Sequence, residues 1–319
     1  MKKCACIIAG ITLFSACGFA ACKGNTDITV YTPDGAPALA IAKLLQDDRK
    51  DDGVTYRIVN PQTITATVTY KDEDKNADLC VLPLTDATQH LGDKDAYQLL
   101  GVVTHGNLYI LSQDQTPITD VRALSGEEIG VLQLHKTPGQ VFKSILQKND
   151  VTDVTLTNIT GGGEVGALQG VNYYVLAEPA VTGQKSKGFH IVGDIQTLYG
   201  GEDGFPQAVL VAKSSLIEEN PTFIKGFVQD VQASATWLAT ATGEEIVSAV
   251  SSHTESGYTT TLKAPLLQPQ TLARCGVYFT AARDSKTGIE NFLEDVSQID
   301  ENITIPPDER FYCTVDFTA

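Results

Sequence analysis

The chain has 319 residues, 42% of them hydrophobic and 19% charged, with a formal net charge of −16. That composition excludes an intrinsically disordered chain, which needs fewer apolar residues and denser charge, and the length allows two ordinary domains. The acidic balance also excludes a surface built to hold phosphate backbones, so nucleic acid is not an expected partner.

At the amino terminus, Met1-Lys2-Lys3 supplies a short basic region before an apolar stretch from Ile7 to Ala21. Thr12, Ser15 and Gly18 interrupt that stretch, so it is too short and too broken to span a membrane and reads as a secretory signal. Phe19-Ala20-Ala21-Cys22 resembles a bacterial lipobox, which implies a signal peptide over 1–21, a lipidated Cys22 and a polar tether over 22–27. Phe14-Ser15-Ala16-Cys17 is a second candidate, and a plain cleaved signal a third. All three put the mature chain outside the cytoplasm. Without Lys2 and Lys3, 21 basic side chains face 39 acidic ones, a balance of −18.

Cys4-Ala5-Cys6 falls in the removed segment and is not a metal or redox motif. Cys80 sits in the apolar run Leu79 to Leu82 and reads as a small buried hydrophobe. Cys275 and Cys313 either close a disulfide in an oxidising compartment or stay reduced, since sequence does not fix their separation. With no CxxC or paired-His spacing, neither a metal nor a cofactor is expected.

Past the tether, Ile28 to Tyr31 predicts a strand, Thr32 to Gly35 a turn and Ala36 to Leu45 a helix. Val54 to Val59 and Ala77 to Pro83 are strands, and Thr85 to Leu91 is a helix. Leu99 to Val103 and Leu108 to Leu111 are strands, after which the polar stretch Asp114 to Asp120 is expected to cross to a second unit. There the pattern repeats. Glu128 to Leu132 is a strand, Pro138 to Gln147 an amphipathic helix, and Val154 to Ile159, Tyr173 to Ala177 and Phe189 to Val192 are strands. Gly161-Gly162-Gly163 is a flexible turn without the residues of a phosphate loop.

Gln207 to Ala212 is the expected return strand, and helices follow over Asn220 to Ala241 and Gly243 to Ser251. A strand from Arg274 to Thr280 and a helix from Ser285 to Ser297 complete the chain. This alternation predicts an α/β fold of two lobes, each a mostly parallel sheet flanked by helices. A two-strand hinge joins them, with lobe 1 drawn from 28–113 and 208–319 and lobe 2 from 114–207.

Several segments carry a family resemblance. Tyr31 to Ala40, Ala77 to Pro83, Gly106 to Ile110, Leu124 to Val131, Thr137-Pro138-Gly139 and Val175 to Ala180 belong to the set, as do Asn220-Pro221, Arg274 to Val277 and Phe311-Tyr312. In order and spacing they are similar to the substrate-binding lipoproteins of ABC importers, in the type II periplasmic-binding superfamily. The nearest group is the nitrate/taurine/sulfonate and thiamine-precursor type. The resemblance implies a monomer that closes on a small polar ligand by hinge motion and serves an ABC permease and ATPase. It would touch the membrane through a lipid anchor only. Two alternatives stand beside it: an enzyme on the same scaffold, of thiamine-pyrimidine-synthesis or transferase type, and a sensory lipoprotein without a transporter. The absence of GxSxG, HExxH and SxxK favours binding over catalysis.

Ligands of open parallel sheets collect at the carboxyl ends of the strands. Thr32, Asp34, Gly35 and Ala36 lie on such a turn, where free N–H groups at a helix start favour an anion or a carbonyl. A plain turn with an N-cap is the alternative. Pro83, Leu84 and Thr85 form the equivalent loop of another strand, with Thr85 as cap or donor. Asn107 and Tyr109 lie near the first crossover, offering an amide and a polar-tipped ring.

Gln133, His135 and Thr137 lead from a strand into the helix at Pro138. His135 has no paired nucleophile or carboxylate and reads as a ligand contact or a surface residue. The resemblance places Glu178 at the cleft, to receive N–H donors or to cap the helix from Ala180. Arg274 is an anion clamp or a lobe-packing ion pair. The ligand class is open between a sulfonate or carboxylate and an aminopyrimidine.

Overall fold

A computed structural model describes residues 27–47, 53–92, 95–200, 204–303, 305–306 and 309–317. The expected signal peptide, Cys17, Cys22 and all of the tether except Asp27 lie outside the described residues.

The strands begin with β1 (Ile28–Pro33), β2 (Val54–Val59), β3 (Leu79–Pro83) and β4 (Tyr97–His105). Next come β5 (Leu108–Ser112), β6 (Glu128–Leu132), β7 (Thr155–Ile159), β8 (Tyr173–Ala177) and β9 (His190–Asp194). The last two are β10 (Pro206–Lys213) and β11 (Val277–Ala281). They build a six-stranded sheet ordered β11-β4-β10-β3-β1-β2 and a five-stranded sheet ordered β7-β6-β8-β5-β9. The chain leaves the first sheet between β4 and β5 and re-enters it at β10, which gives two lobes joined by two crossings. β3 and the stretch Leu108 to Leu111 of β5 are apolar runs because both of their faces are covered.

Two expectations about this framework are corrected. First, the sheets are mixed rather than mostly parallel. β1 pairs in parallel with β2 and β3, and β6 with β7 and β8, but β4, β5 and β10 run antiparallel to their neighbours. β5 and β10 run against the βα units of their sheets, whereas β4 runs in the same direction as β1 to β3 and is antiparallel only to β10 and β11. Second, Leu108 to Leu111 belongs to the second sheet, so the outward crossing is Gly106-Asn107 and not Asp114 to Asp120. Gly106 makes so abrupt a turn possible with a φ of 67° and no side chain, where a Cβ would meet Gln196 Cγ at 2.8 Å. Asp114 to Asp120 is polar only because it is an exposed loop. Asp114 there accepts from Thr116 N and Oγ1 at 3.0 and 2.9 Å.

Helices cover both sheets: α1 (Ala36–Leu39), α2 (Ala42–Asp47), α3 (Leu84–Leu91), α4 (Thr137–Lys148), α5 (Ala180–Gly183) and α6 (Ile195–Tyr199). They continue with α7 (Ser214–Glu219), α8 (Pro221–Leu238), α9 (Gly243–Ser251), α10 (Pro269–Arg274) and α11 (Ala282–Ser297). The single helix expected from Ala36 is two short ones, because the chain turns at Ala40 and Ile41 while both side chains enter the core. Arg274 ends α10 instead of starting a strand, since Gly276, with a φ of 62°, turns the chain before β11. α4 buries the predicted stripe of Val141, Phe142, Ile145 and Leu146.

One apolar cluster unites Ile41, Ile224, Val228 and Ile246 on the first lobe. Another runs from lobe to lobe, through Leu84 and Leu91 of α3, Phe142 of α4 and Phe292 of α11. Cys275 and Cys313 are free thiols, so the disulfide is not formed. Burial pushes both upward, and it pushes Cys80 up to about 12.

Candidate functional site

The carboxyl ends of β1, β3, β6 and β8 open on one cleft between the lobes, of about 430 Å³. Pro33, Pro83, Leu132 and Ala177 stand at those four ends, and Asn60 and Thr160 extend the rim just beyond β2 and β7.

The first-lobe wall is built on Asp34. The preceding strand ends at Pro33, and Gly35 takes a φ of 100°, a region that favours glycine, to admit the helix start with Pro37 in its first turn. The Asp34 carboxylate is only 4% exposed. It accepts from Thr260 Oγ1 at 2.6 Å, Thr261 N at 2.6 Å, Thr261 Oγ1 at 2.6 Å and Tyr258 Oη at 3.1 Å. All four donors are uncharged and belong to the same lobe. Burial, then the neighbouring Asp34, holds the Tyr258 phenol protonated well above its ordinary range.

The second-lobe wall holds Gln133, in a left-handed conformation at φ 47°, with Thr137, Pro138 and Glu178. Glu178 is 1% exposed. Its carboxylate accepts from Thr182 N at 3.0 Å, Thr182 Oγ1 at 2.9 Å and Arg274 Nε at 2.7 Å. Arg274 also donates to Thr182 Oγ1 at 2.9 Å. The guanidinium comes from the first lobe, so it is the ion pair between packed lobes and not an anion clamp in the cleft.

Further polar contacts bridge the lobes. The Thr85 and Thr137 hydroxyls lie 2.9 Å apart, and Lys136 Nζ reaches Asp86 Oδ2 at 2.9 Å while Thr65 donates to the same oxygen. On the flank, Asp295 of α11 accepts from Tyr199 Oη at 2.6 Å and pairs with Lys148.

Eight of the thirteen residues singled out from sequence line the cleft: Asp34, Gly35, Ala36, Pro83, Asn107, Gln133, Thr137 and Glu178. The other five do not. Thr32 is fully buried outside the cleft lining, and Leu84 packs in the core. Thr85 is neither an N-cap nor a lining residue, because its hydroxyl faces Thr137 across the lobe boundary. Tyr109 is packed in the second sheet and donates to the Arg274 carbonyl at 3.3 Å. His135 is exposed and outside the cleft.

Asn60, Pro61, Gln62, Gln207, Tyr258 and Thr261 line the cleft without having been singled out. The strand-end rule that selected Pro83 also selects Asn60, which directly follows β2. No local pattern points to Tyr258 or Thr261. The turn at Gly161 also lines the cleft, but Glu164 takes the N–H groups of Thr160 and Gly161 at 2.6 and 3.3 Å. The Thr160 hydroxyl, which donates to the same carboxylate at 2.7 Å, and then those backbone bonds hold the Glu164 carboxyl below its usual range.

Two α/β lobes, two crossings and a cleft at the strand ends define the two-lobed, periplasmic-binding-protein-like fold. Solved structures share it. An ABC transporter from Parabacteroides distasonis superposes with a TM-score of 0.69 at 22% identity, over 90% of this chain and 99% of that one. The periplasmic aliphatic sulphonate binding protein SsuA from Escherichia coli gives 0.64 at 16% identity, over 89% and 90%. The desulfurization enzyme DSZB gives 0.57 at 14% identity, over 91% and 97%. No family model and no curated protein matches the chain.

Proposed function

We propose that the chain is the extracytoplasmic substrate-binding component of an ABC importer, capturing a small molecule between its lobes by hinge closure. Delivery would be to a permease and its ATPase. One observation carries the reading: the cleft is walled by both lobes, which are joined by two crossings and bridged by Arg274–Glu178, Lys136–Asp86 and Thr85–Thr137. A ligand touching both walls stabilises the closed arrangement by its differential affinity for it.

The fold is shared with at least one enzyme, so the choice against catalysis rests on the site. The described lining residues include no Ser, Cys, His, Lys or Arg, and both carboxylates are already held by protein donors. A nucleophile with its base, or a free acid–base pair, needs what this wall lacks. The leader resemblance at 1–21 supports export, and Cys22 is the proposed lipid anchor of a monomer. No helix of the described residues is long and apolar enough to cross a membrane.

The test is to purify the protein without denaturation, release its small molecules by unfolding, and compare them by mass spectrometry before and after prolonged incubation. The carrier reading predicts a compound of unchanged mass. A compound converted in step with protein concentration would make the chain an enzyme.

A further inference from the structure

Three of the protein's own carboxylates lie in or against the cleft wall, each seated among converging donors. Asp34 takes the Tyr258, Thr260 and Thr261 hydroxyls and the Thr261 N–H. Glu178 takes the Thr182 N–H and hydroxyl together with Arg274 Nε. Glu164, half-buried on the turn at Gly161, takes the Thr160 hydroxyl at 2.7 Å and the N–H groups of Thr160 and Gly161. Backbone N–H groups and hydroxyls that converge in this way are what a protein offers a sulfonate, a carboxylate or a phosphate. Here each set is already filled by an acid of the chain itself. Tyr258, Thr261, Thr160 and Gly161, which supply many of these donors, are all lining residues.

Charge points the same way. Among the described lining residues the ionisable side chains are Asp34, Glu178 and Tyr258, with no Lys, Arg or His. Arg274 is committed to Glu178 at 2.7 Å, whereas every donor to Asp34 and Glu164 is uncharged. A ligand anion at this wall would give up its water, meet charge of its own sign and find the donors taken. The start of α4 offers little in exchange, because the Thr137 hydroxyl is engaged with Thr85 and Pro138 has no N–H. Other polar side chains of the lining are uncharged amides such as Asn60, Gln62 and Gln133, each both donor and acceptor.

Resting on the binding-protein reading, we infer that Asp34, Glu164 and Glu178 set the specificity of this cleft: they fill its anion-holding donors from within, so that it takes a small molecule without an anionic group. Compounds released from native protein by unfolding are identified by mass spectrometry. Ligand-stripped wild type and Asp34→Ala are then titrated calorimetrically with butanesulfonate, nitrate and formate. The released compound is expected to carry no sulfonate, carboxylate or phosphate group, and the three anions to give no heat of binding in wild type. Asp34→Ala removes a carboxylate and leaves its donors, so it should bind formate about tenfold or more tighter than wild type does. An anionic released compound, or wild-type binding of butanesulfonate or nitrate, overturns the inference yet leaves a binding protein standing. Formate affinity no greater in Asp34→Ala than in wild type overturns the part given to Asp34. Should that variant not fold, Glu164→Ala takes its place in the same titration, with the same gain expected and the same result overturning it. Conversion of the released compound would instead overturn the carrier reading and leave the charge selection standing.

Discussion

The two walls of the cleft meet the same problem, a buried carboxylate, in different ways. Asp34 is held entirely by its own lobe, through Tyr258, Thr260 and Thr261. Glu178 depends on Arg274 from across the boundary. The first wall is therefore prebuilt, whereas the second reaches its observed form only when the lobes are together. On the proposed binding reading, one wall serves as a fixed platform and the other as a surface that closure completes.

The largest expected effect comes from breaking the bridging pair. Arg274→Met leaves Glu178 buried beside no cation and should cost about 3–5 kcal/mol in denaturant unfolding. Adding Glu178→Gln should recover much of that loss. If Arg274→Met unfolds like wild type, the second wall does not depend on the first.

Acid should act next, at the crossing. Burial depresses His105 to about 4 from 6.5, against a smaller opposing contact with the Gly276 backbone. Its Nε2 lies 3.0 Å from Thr280 Oγ1, and its ring stacks on Tyr278 at 3.6 Å. The folded value lies below the unfolded one, so the unfolded chain binds the extra proton. Stability is full above pH about 6.5 and is lost toward pH 4, by up to about 3 kcal/mol. Unfolding curves across that window should flatten in His105→Phe.

Asp34→Asn should cost less, about 2 kcal/mol, because its four partners are neutral and the loss stays within one lobe. Faster hydrogen exchange at the Thr261 amide, with unchanged exchange around Glu178, would confirm the confinement. The smallest effect belongs to Lys136→Ala. That pair is 23% and 11% exposed in its side chains and should contribute under about 1 kcal/mol, read as weaker ligand affinity with little change in unfolding midpoint.

The same contrast explains what could be read in advance. Gly35 and Pro37 announce a strand-to-helix turn within a few residues of β1, and Thr137-Pro138 does so after β6, so these positions were legible. The partners of Asp34 were not, because Tyr258 and Thr261 follow it by 224 and 227 positions and carry no periodic signal. The crossing at Gly106-Asn107 is too short to shift local composition, whereas the exposed loop at Asp114 shifts it strongly and so drew the boundary wrongly. Arg274 was ambiguous for a related reason. Whether a lone arginine faces ligand or carboxylate depends on which loop of the other lobe packs against it.

Small-angle X-ray scattering most directly tests whether these lobes close on a ligand. Protein stripped of small molecules by unfolding and refolding would be compared with the same protein after the released compound is restored. A smaller radius of gyration with the compound present is the expected result. An identical radius in both states, at concentrations where binding is complete, would contradict capture by hinge closure.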